Sequence, residues 1–344
     1  MLSPDDEERA ARARADLRIG LPVAAGGWLM AAVETVPPAR LAAMRAVGPL
    51  YLGLTARRAE TLRARVYGGD HAVVAVPEGA ADGWLRAVAD PADDLRAPMK
   101  GPLDSLRGLD PAPWRAALAL AKAAELLPAV VAVAVPAPEG VTRLDAPPEA
   151  PAPAPVSAAR LPMALTGAGR LHVFREGFGG TEHYAVEAGM VDRAAPVLVR
   201  LHSACFTGDV LGSLKCDCGP QLHAALGAMR VESGVLLYLN QEGRGIGLAN
   251  KMRAYDLQDQ GFDTVEANHR LGFEDDERDF RIGAALLKRM GIATIRLMTN
   301  NPRKIEMMRA QGIDVAERVP LHVGRGPENA AYLDVKRDKS GHLE

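Results

Sequence analysis

Apolar residues recur along this chain in two rhythms, one suited to helices and the other to buried strands. In the first half, three- and four-residue spacing predicts helices over Asp5–Arg18, Pro38–Val47, Ala56–Arg65 and Trp114–Leu127, the third with its arginines on the wet face. Short apolar runs at Leu21–Ala25, Leu50–Leu54 and Val130–Val135 predict strands, the last β-branched enough to be buried. The second half alternates more regularly. Strands are predicted at Val197–His202, Gly234–Leu239, Ala293–Thr299 and Asp314–Arg318, and helices at Gly219–Val231, Gly247–Asp259, Asp276–Met290 and Pro302–Ala310. Strand and helix in turn predict a mixed α/β domain. Between the halves, Asp145–Ala158 holds five prolines among small residues, which suits an extended linker rather than a helix or central strand. The expected organisation is therefore a smaller α/β domain over 1–144, a Pro/Ala-rich linker over 145–158 and an α/β domain over 159–344.

Composition narrows the class. The chain has 344 residues, more than one average domain, with 48% hydrophobic and 24% charged residues, values ordinary for a globular protein. Forty-one basic against 43 acidic side chains give a net charge of −2. The balance holds in both halves and argues against a nucleic-acid arm or a polybasic membrane anchor. The charged start, Asp5-Asp6-Glu7-Glu8, lacks the apolar core of a secretory signal, and the apolar stretch Leu126–Val135 is broken by Pro128 and too short to span a bilayer. The expected location is the cytoplasm.

Candidate chemistry concentrates in the second half. All three cysteines, Cys205, Cys216 and Cys218, fall within 14 residues, an odd number that does not suit a disulfide framework. Thiolates select zinc over hard cations, and three protein ligands with an open fourth position is the catalytic arrangement, in which zinc lowers the pKa of bound water to about 7. Buried core thiols, or a structural site closed by His202 or His223, are the competing readings. Gln241-Glu242-Gly243-Arg244-Gly245-Ile246-Gly247 joins an apolar strand to a helix and suits an anionic or planar ligand. Glu274–Asp279 carries five carboxylates around Arg278, which fits either an acidic helix start or chemistry. Thr299-Asn300-Asn301-Pro302-Arg303-Lys304 fits a phosphate site at a helix start, or an ordinary cap. Together these motifs predict a metal beside a polyphosphate site, and hence hydrolysis of a nucleotide. The first half, with His71 its only histidine and no cysteine, reads as a scaffold or interaction domain.

Read in order, these stretches resemble the GTP cyclohydrolase II family, the entry enzymes of riboflavin synthesis. The resemblance runs from about Leu161 onward. It rests on Arg200–Asp209, Ser213–Leu222, Gln241–Arg244, Ala267-Asn268-His269, Asp276–Phe280 and Thr299–Pro302. It implies a hydrolase that opens the imidazole ring of GTP, releasing formate and pyrophosphate. By position, Cys205, Cys216 and Cys218 would hold zinc, whose hydroxide attacks C8. Arg278 would act at the α-phosphorus, as nucleophile or as stabiliser of phosphate charge, with Asp276 as proton acceptor and Tyr255 supporting. Arg200, Leu201, His202, Ser203, Gln221, Glu242, Gly243, Arg244, Thr264, Thr299 and Lys304 would contact GTP. The resemblance also implies Mg2+ on the triphosphate and a homodimer.

One residue departs from the family pattern: Ala204 stands where a glutamate usually precedes the first cysteine. That departure keeps open a paralogous zinc hydrolase acting on another nucleotide or a pyrimidine-catabolic intermediate, and, from another class, a non-catalytic nucleotide-binding regulator. The first half more loosely resembles dihydroxybutanone phosphate synthase, in Asp16–Val23 and in Leu52–Thr55 with Arg57 and Arg58. That family needs an acidic metal cluster after its first strand, whereas this chain has Ala24-Ala25-Gly26-Gly27-Trp28, so a catalytically silent domain is expected.

Overall fold

A computed structural model of the chain describes residues 3–144, 152–177 and 180–330. They form two compact units, Met1–Glu149 with Ile246–Glu277, and Ala150–Gly245 with Arg278–Glu344. Both are α/β.

The first unit is built on β1 (Val23–Ala25), β2 (Trp28–Ala32), β3 (Leu50–Thr55), β4 (His71–Ala75) and β5 (Ala129–Ala134), in the order β1-β2-β5-β3-β4. Every pairing is antiparallel. Side chains alternate between faces, as strand geometry demands. Met30, Val130 and Ala132 pack with helices Asp6–Arg18 and Ala112–Ala123, whereas Leu29, Leu52, Val131 and Val133 pack with Pro38–Val47, Ala56–Thr61 and Asp82–Ala89. Ile246–Glu277, inside the stretch expected as the second domain, folds in this unit. Its helices Leu248–Asp259 and Thr264–Leu271 close around Ala254, Leu257, Ala267, Leu271 and Phe273, and Asp263 with Glu266 forms a capping box on the second.

The second unit holds β6 (Ala154–Met163), β7 (Gly167–Arg175), β8 (Glu182–Ala188), β9 (Val197–Ser203), β10 (Gly234–Leu239), β11 (Thr294–Met298) and β12 (Asp314–Val319), in the order β12-β11-β9-β10-β8-β7-β6. Strands β12, β11, β9 and β10 are parallel, and the remaining pairs are antiparallel. Val199, Leu201, Val235 and Leu237 meet helices Arg281–Arg289 and Pro302–Ala310 on one face, and Leu198 and Leu236 meet helix Cys218–Glu232 on the other. Because β10 and β11 flank β9 on opposite sides, the connections diverge at the carboxyl ends of the parallel strands. Open α/β sheets leave their ligand crevices at such a point.

Three expectations need correction. Residues 154–158 of the expected linker begin β6, an exposed edge strand that accommodates Pro155 at a register shift; Asp145–Pro151 lie outside the described residues. The helix expected from Asp276 begins only at Arg281; the acidic run is irregular, and its carboxylates take separate partners, Arg57 for Glu274, His269 for Asp275 and Lys122 for Glu277. Arg58, expected on a wet face, is 1% exposed: its guanidinium bonds the Val88 carbonyl and Asp94. Charge pairing, not helix periodicity, places it.

Candidate metal centre and nucleotide site

The site in the second unit begins where β9 ends. After Ser203 the chain passes Cys205 and makes a π-helical turn, Phe206–Val210. It returns through Cys216 and enters helix Cys218–Glu232 at Cys218. The three Sγ atoms lie within 4.8 Å of one another, with Cys205 and Cys216 buried and their sulfurs 3.6 Å apart. Gly208 permits this approach, since a Cβ there would stand 2.7 Å from Cys216 Sγ and 3.1 Å from Cys205 Sγ. Sharing a hydrogen bond with Cys205 pushes the Cys216 thiol up, a tendency a bound cation reverses. Among the described residues no histidine or carboxylate completes this group. Three convergent soft donors without a fourth protein ligand fit a catalytic zinc better than a structural one.

His202, a candidate fourth ligand, is turned elsewhere. Its Nε2 lies 3.0 and 3.1 Å from the carboxylate oxygens of Asp209, and Asp209 also accepts from the Cys205 backbone N–H at 3.1 Å and from the Tyr238 hydroxyl at 2.9 Å. Burial lowers the His202 pKa below 6.5 against the pull of Asp209, so the neutral ring donates from Nε2. Its Nδ1 is then a buried acceptor with no partner among the described residues. Burial, with Asp209 beside it, raises the Tyr238 phenol, which stays a donor. Asp209 thus fixes the Cys205 loop to two strands. It lies inside the first motif, four residues after Cys205, yet only folding reveals its partners.

Around this centre the carboxyl ends of β9, β10 and β11 gather polar groups. Ser203 Oγ accepts from Arg278 Nη1 at 3.3 Å, and the Arg278 guanidinium lies 4.9 Å from the Phe280 ring centroid. Lys304 Nζ stands 4.9 Å from the same ring and donates to the Leu201 carbonyl at 2.9 Å. Two cations on one aromatic ring form a positive locus suited to phosphate. Glu242 accepts from Phe206 N at 2.6 Å, and Gly243 and Arg244 follow with φ of 62° and 64°, a left-handed turn beyond β10. His183, fully buried, accepts from Asn240 N at 3.0 Å and so steadies that turn from β8.

Other expected contacts are less open. Arg200 is buried, its Nη1 donating to the Met298 carbonyl at 3.0 Å and its Nη2 to Gln221, and burial lowers its pKa to about 10. Gln221 donates in turn to Asp217 at 2.5 Å. The Leu201 side chain belongs to the core, and Thr299, 1% exposed, accepts from Asn301 N at 3.0 Å. Tyr255, Thr264 and Asp276 fall in the first unit. There Lys251 Nζ lies 5.6 Å from the Tyr255 ring, and Thr264 accepts from Gln258 at 3.3 Å.

Comparison with known proteins gives this geometry a context. The sequence model described as GTP cyclohydrolase II matches residues 154–320. A GTP cyclohydrolase-2 of Azotobacter vinelandii is 57% identical over 189 residues, covering 55% of this chain and 90% of that protein. One from Neisseria meningitidis serogroup A is 53% identical over 189 residues, covering 55% and 95%. One from Proteus mirabilis is 58% identical over 171 residues, covering 49% and 86%. Among solved structures, a two-domain 3,4-dihydroxy-2-butanone 4-phosphate synthase from A. baumannii aligns over 92% of this chain and 99% of its own, at 17% identity and a TM-score of 0.29.

Proposed function

The chain belongs to the GTP cyclohydrolase II family, and from that premise we propose how its residues divide the reaction. The enzyme is a hydrolase of riboflavin biosynthesis. It opens the imidazole ring of GTP and releases formate and pyrophosphate, leaving 2,5-diamino-6-hydroxy-4-(5-phosphoribosylamino)pyrimidine. One observation carries this reading: three sulfurs converge over Gly208 at the carboxyl end of β9, in the unit where Arg278 and Lys304 share Phe280.

Cys205, Cys216 and Cys218 would hold zinc, which when bound would supply Lewis acidity and lower the pKa of water. Arg278 and Lys304 receive the triphosphate, which arrives with Mg2+, and Ser203 fixes the Arg278 guanidinium where the α-phosphate is to lie. Arg278 stays charged unless a base takes its proton; Asp276 is that base if the guanidinium attacks phosphorus, and a bystander if it only stabilises charge. His202 is assigned a GTP contact by family position, its ring held by Asp209 at the end of β9. Glu242, Gly243 and Arg244 line the purine side with Gln221; by family position Thr264 is assigned a GTP contact and Tyr255 a supporting role in the chemistry. Arg200 and Thr299 shape the site from within the sheet. Ala204 weighs little against this reading, because its backbone N–H donates to the Leu239 carbonyl at 2.7 Å and keeps the loop's course whatever the side chain. A homodimer in the cytoplasm completes the proposal; no helix among the described residues is long and apolar enough to cross a membrane.

Zinc-reconstituted protein given GTP and Mg2+ should yield formate, pyrophosphate and the diaminopyrimidine in equal amounts. Cys216→Ser should lower formate release below detection. Unchanged turnover in that variant sinks the metal's role, and no turnover by the parent with zinc in place sinks the GTP reading.

A further inference from the structure

The first unit holds a segment that the proposed reaction needs. Ile246–Glu277 carries Tyr255, Thr264 and Asp276, yet it folds with the N-terminal half of the chain. Its two helices have 12 and 8 residues, lengths at which isolated helices are marginal in water. Its apolar cluster is closed by Leu127, 3% exposed, from the N-terminal half.

Polar anchors stand at both ends of the segment. At the beginning, Glu34 Oε2 accepts from Leu127 N at 2.8 Å while its Oε1 accepts from Arg253 Nη2 at 2.9 Å. Asn250, fully buried, donates to the Glu125 carbonyl at 3.0 Å. At the other end, the Thr55 hydroxyl donates to the Gly272 carbonyl at 2.7 Å. Gly272 has a φ of 91°, and a Cβ there would stand 2.8 Å from the Thr55 hydroxyl and 2.9 Å from Pro128, so a side chain is excluded twice over. Arg57 Nε donates to Glu274 at 2.9 Å and Lys122 Nζ to Glu277 at 2.5 Å, placing Asp276 between two anchored neighbours.

These anchors lie outside residues 154–320, and the relatives in Azotobacter and Neisseria are matched over 90% and 95% of their own length. Such proteins have little chain left over for a counterpart of the N-terminal half. We propose that Glu34, Arg57 and Lys122 are positioning residues of this enzyme, and that the N-terminal half is an internal scaffold fixing the segment that bears Tyr255, Thr264 and Asp276. The role of those three residues rests on the reading of the preceding subsection; the scaffold does not.

The test uses the full chain. Glu34→Gln, Arg57→Gln and Lys122→Met are combined, and amide hydrogen exchange, zinc content and GTP turnover are measured together. Exchange across 248–277 should rise by about tenfold or more, while β2, β3, β5, β9 and β10 keep their protection. Zinc content should stay at the parental level and kcat should fall several-fold. A second pair of variants guards against general damage: Arg57→Glu alone should raise exchange near 272–277, and Arg57→Glu with Glu274→Arg should restore it. Unchanged exchange across 248–277, or an equal rise through β2, β3 and β5, overturns the scaffold. Loosening of the segment without any change in the turnover of an active parent overturns the positioning roles. Loosening in a protein whose parent has no GTP turnover leaves the scaffold standing and removes the reaction.

Discussion

The two units are both α/β layers, yet only the second gathers chemistry at one edge. The difference lies in strand direction. Neighbouring strands of the first sheet run antiparallel, so their carboxyl ends point alternately to opposite edges and no edge collects the loops that follow them. In the second, β9, β10 and β11 end at one edge and deliver Ser203 and Cys205, Glu242 and Arg244, and Thr299 and Lys304 to it. Each unit also buries an acid as a hub, to different ends. Asp94 receives Arg58, Lys100 and Arg270 and ties helices together, whereas Asp209 receives His202, Tyr238 and a cysteine backbone and ties a ligand loop to its sheet. The first hub serves stability and the second serves geometry.

Neutralising each hub should separate those roles, and the larger effect on stability belongs to Asp94. Asp94→Asn leaves Arg58, 1% exposed, without its counter-charge, and breaking a buried pair in this way costs about 3–5 kcal/mol. Burial alone would raise the Asp94 carboxyl, but Arg58 and Lys100 outweigh it and hold the pKa below 3.8. A depressed carboxylate contributes its stability above the unfolded value, near 3.9, and loses it as pH falls through the folded one. The parent's first unit should therefore weaken from about pH 4 downward, and the variant should lack that dependence. Trp28, Trp84 and Trp114, all three tryptophans of the chain, lie in the first unit, so their fluorescence during urea unfolding reads it alone. Equal midpoints for parent and variant at pH 7 would make Asp94 dispensable.

Asp209→Asn should spare the fold and loosen the metal. Outer-shell partners of metal ligands are worth about 10–100-fold in affinity, so zinc should pass to a competing chelator that much more readily. The cobalt-substituted protein should show altered d–d bands at unchanged stoichiometry. A further readout is independent of metal: the negative charge of Asp209 helps hold the Tyr238 phenol up, so one tyrosine should ionise at lower pH in the variant. Parental zinc affinity together with an unmoved tyrosine titration would reduce the hub to packing.

Legibility in the sequence follows the same division. Apolar runs flanked by helical periodicity announce β9 to β12, and three cysteines in 14 residues announce the candidate metal centre before any fold is known. What escapes is whatever depends on distant partners. Arg58 reads as a wet-face residue until Asp94, 36 positions on, folds against it. Asp209 reads as one motif letter until Tyr238, 29 positions on, donates to it. Thr55 and Gly272 are 217 positions apart, so nothing local marks the segment 246–277 as part of the first unit. Strand β6 escapes for another reason: nearly every residue in it is exposed, so it has no alternation to read.

The smallest effect is expected at Ala204, where the family resemblance leads one to expect a glutamate. Ala204 sits between Ser203, which meets Arg278, and Cys205, so a carboxylate there is close enough to matter if the reaction uses one. Its hydrogen bond, however, is made by the backbone, donating to the Leu239 carbonyl at 2.7 Å and extending the β9–β10 pairing by one step. The side chain is partly exposed and carries no polar atom for the fold to rely on. Ala204→Glu should therefore change kcat/KM for GTP by less than about threefold, under about 0.7 kcal/mol, at constant zinc content. A tenfold gain would instead mean that a carboxylate at this position works in the transition state.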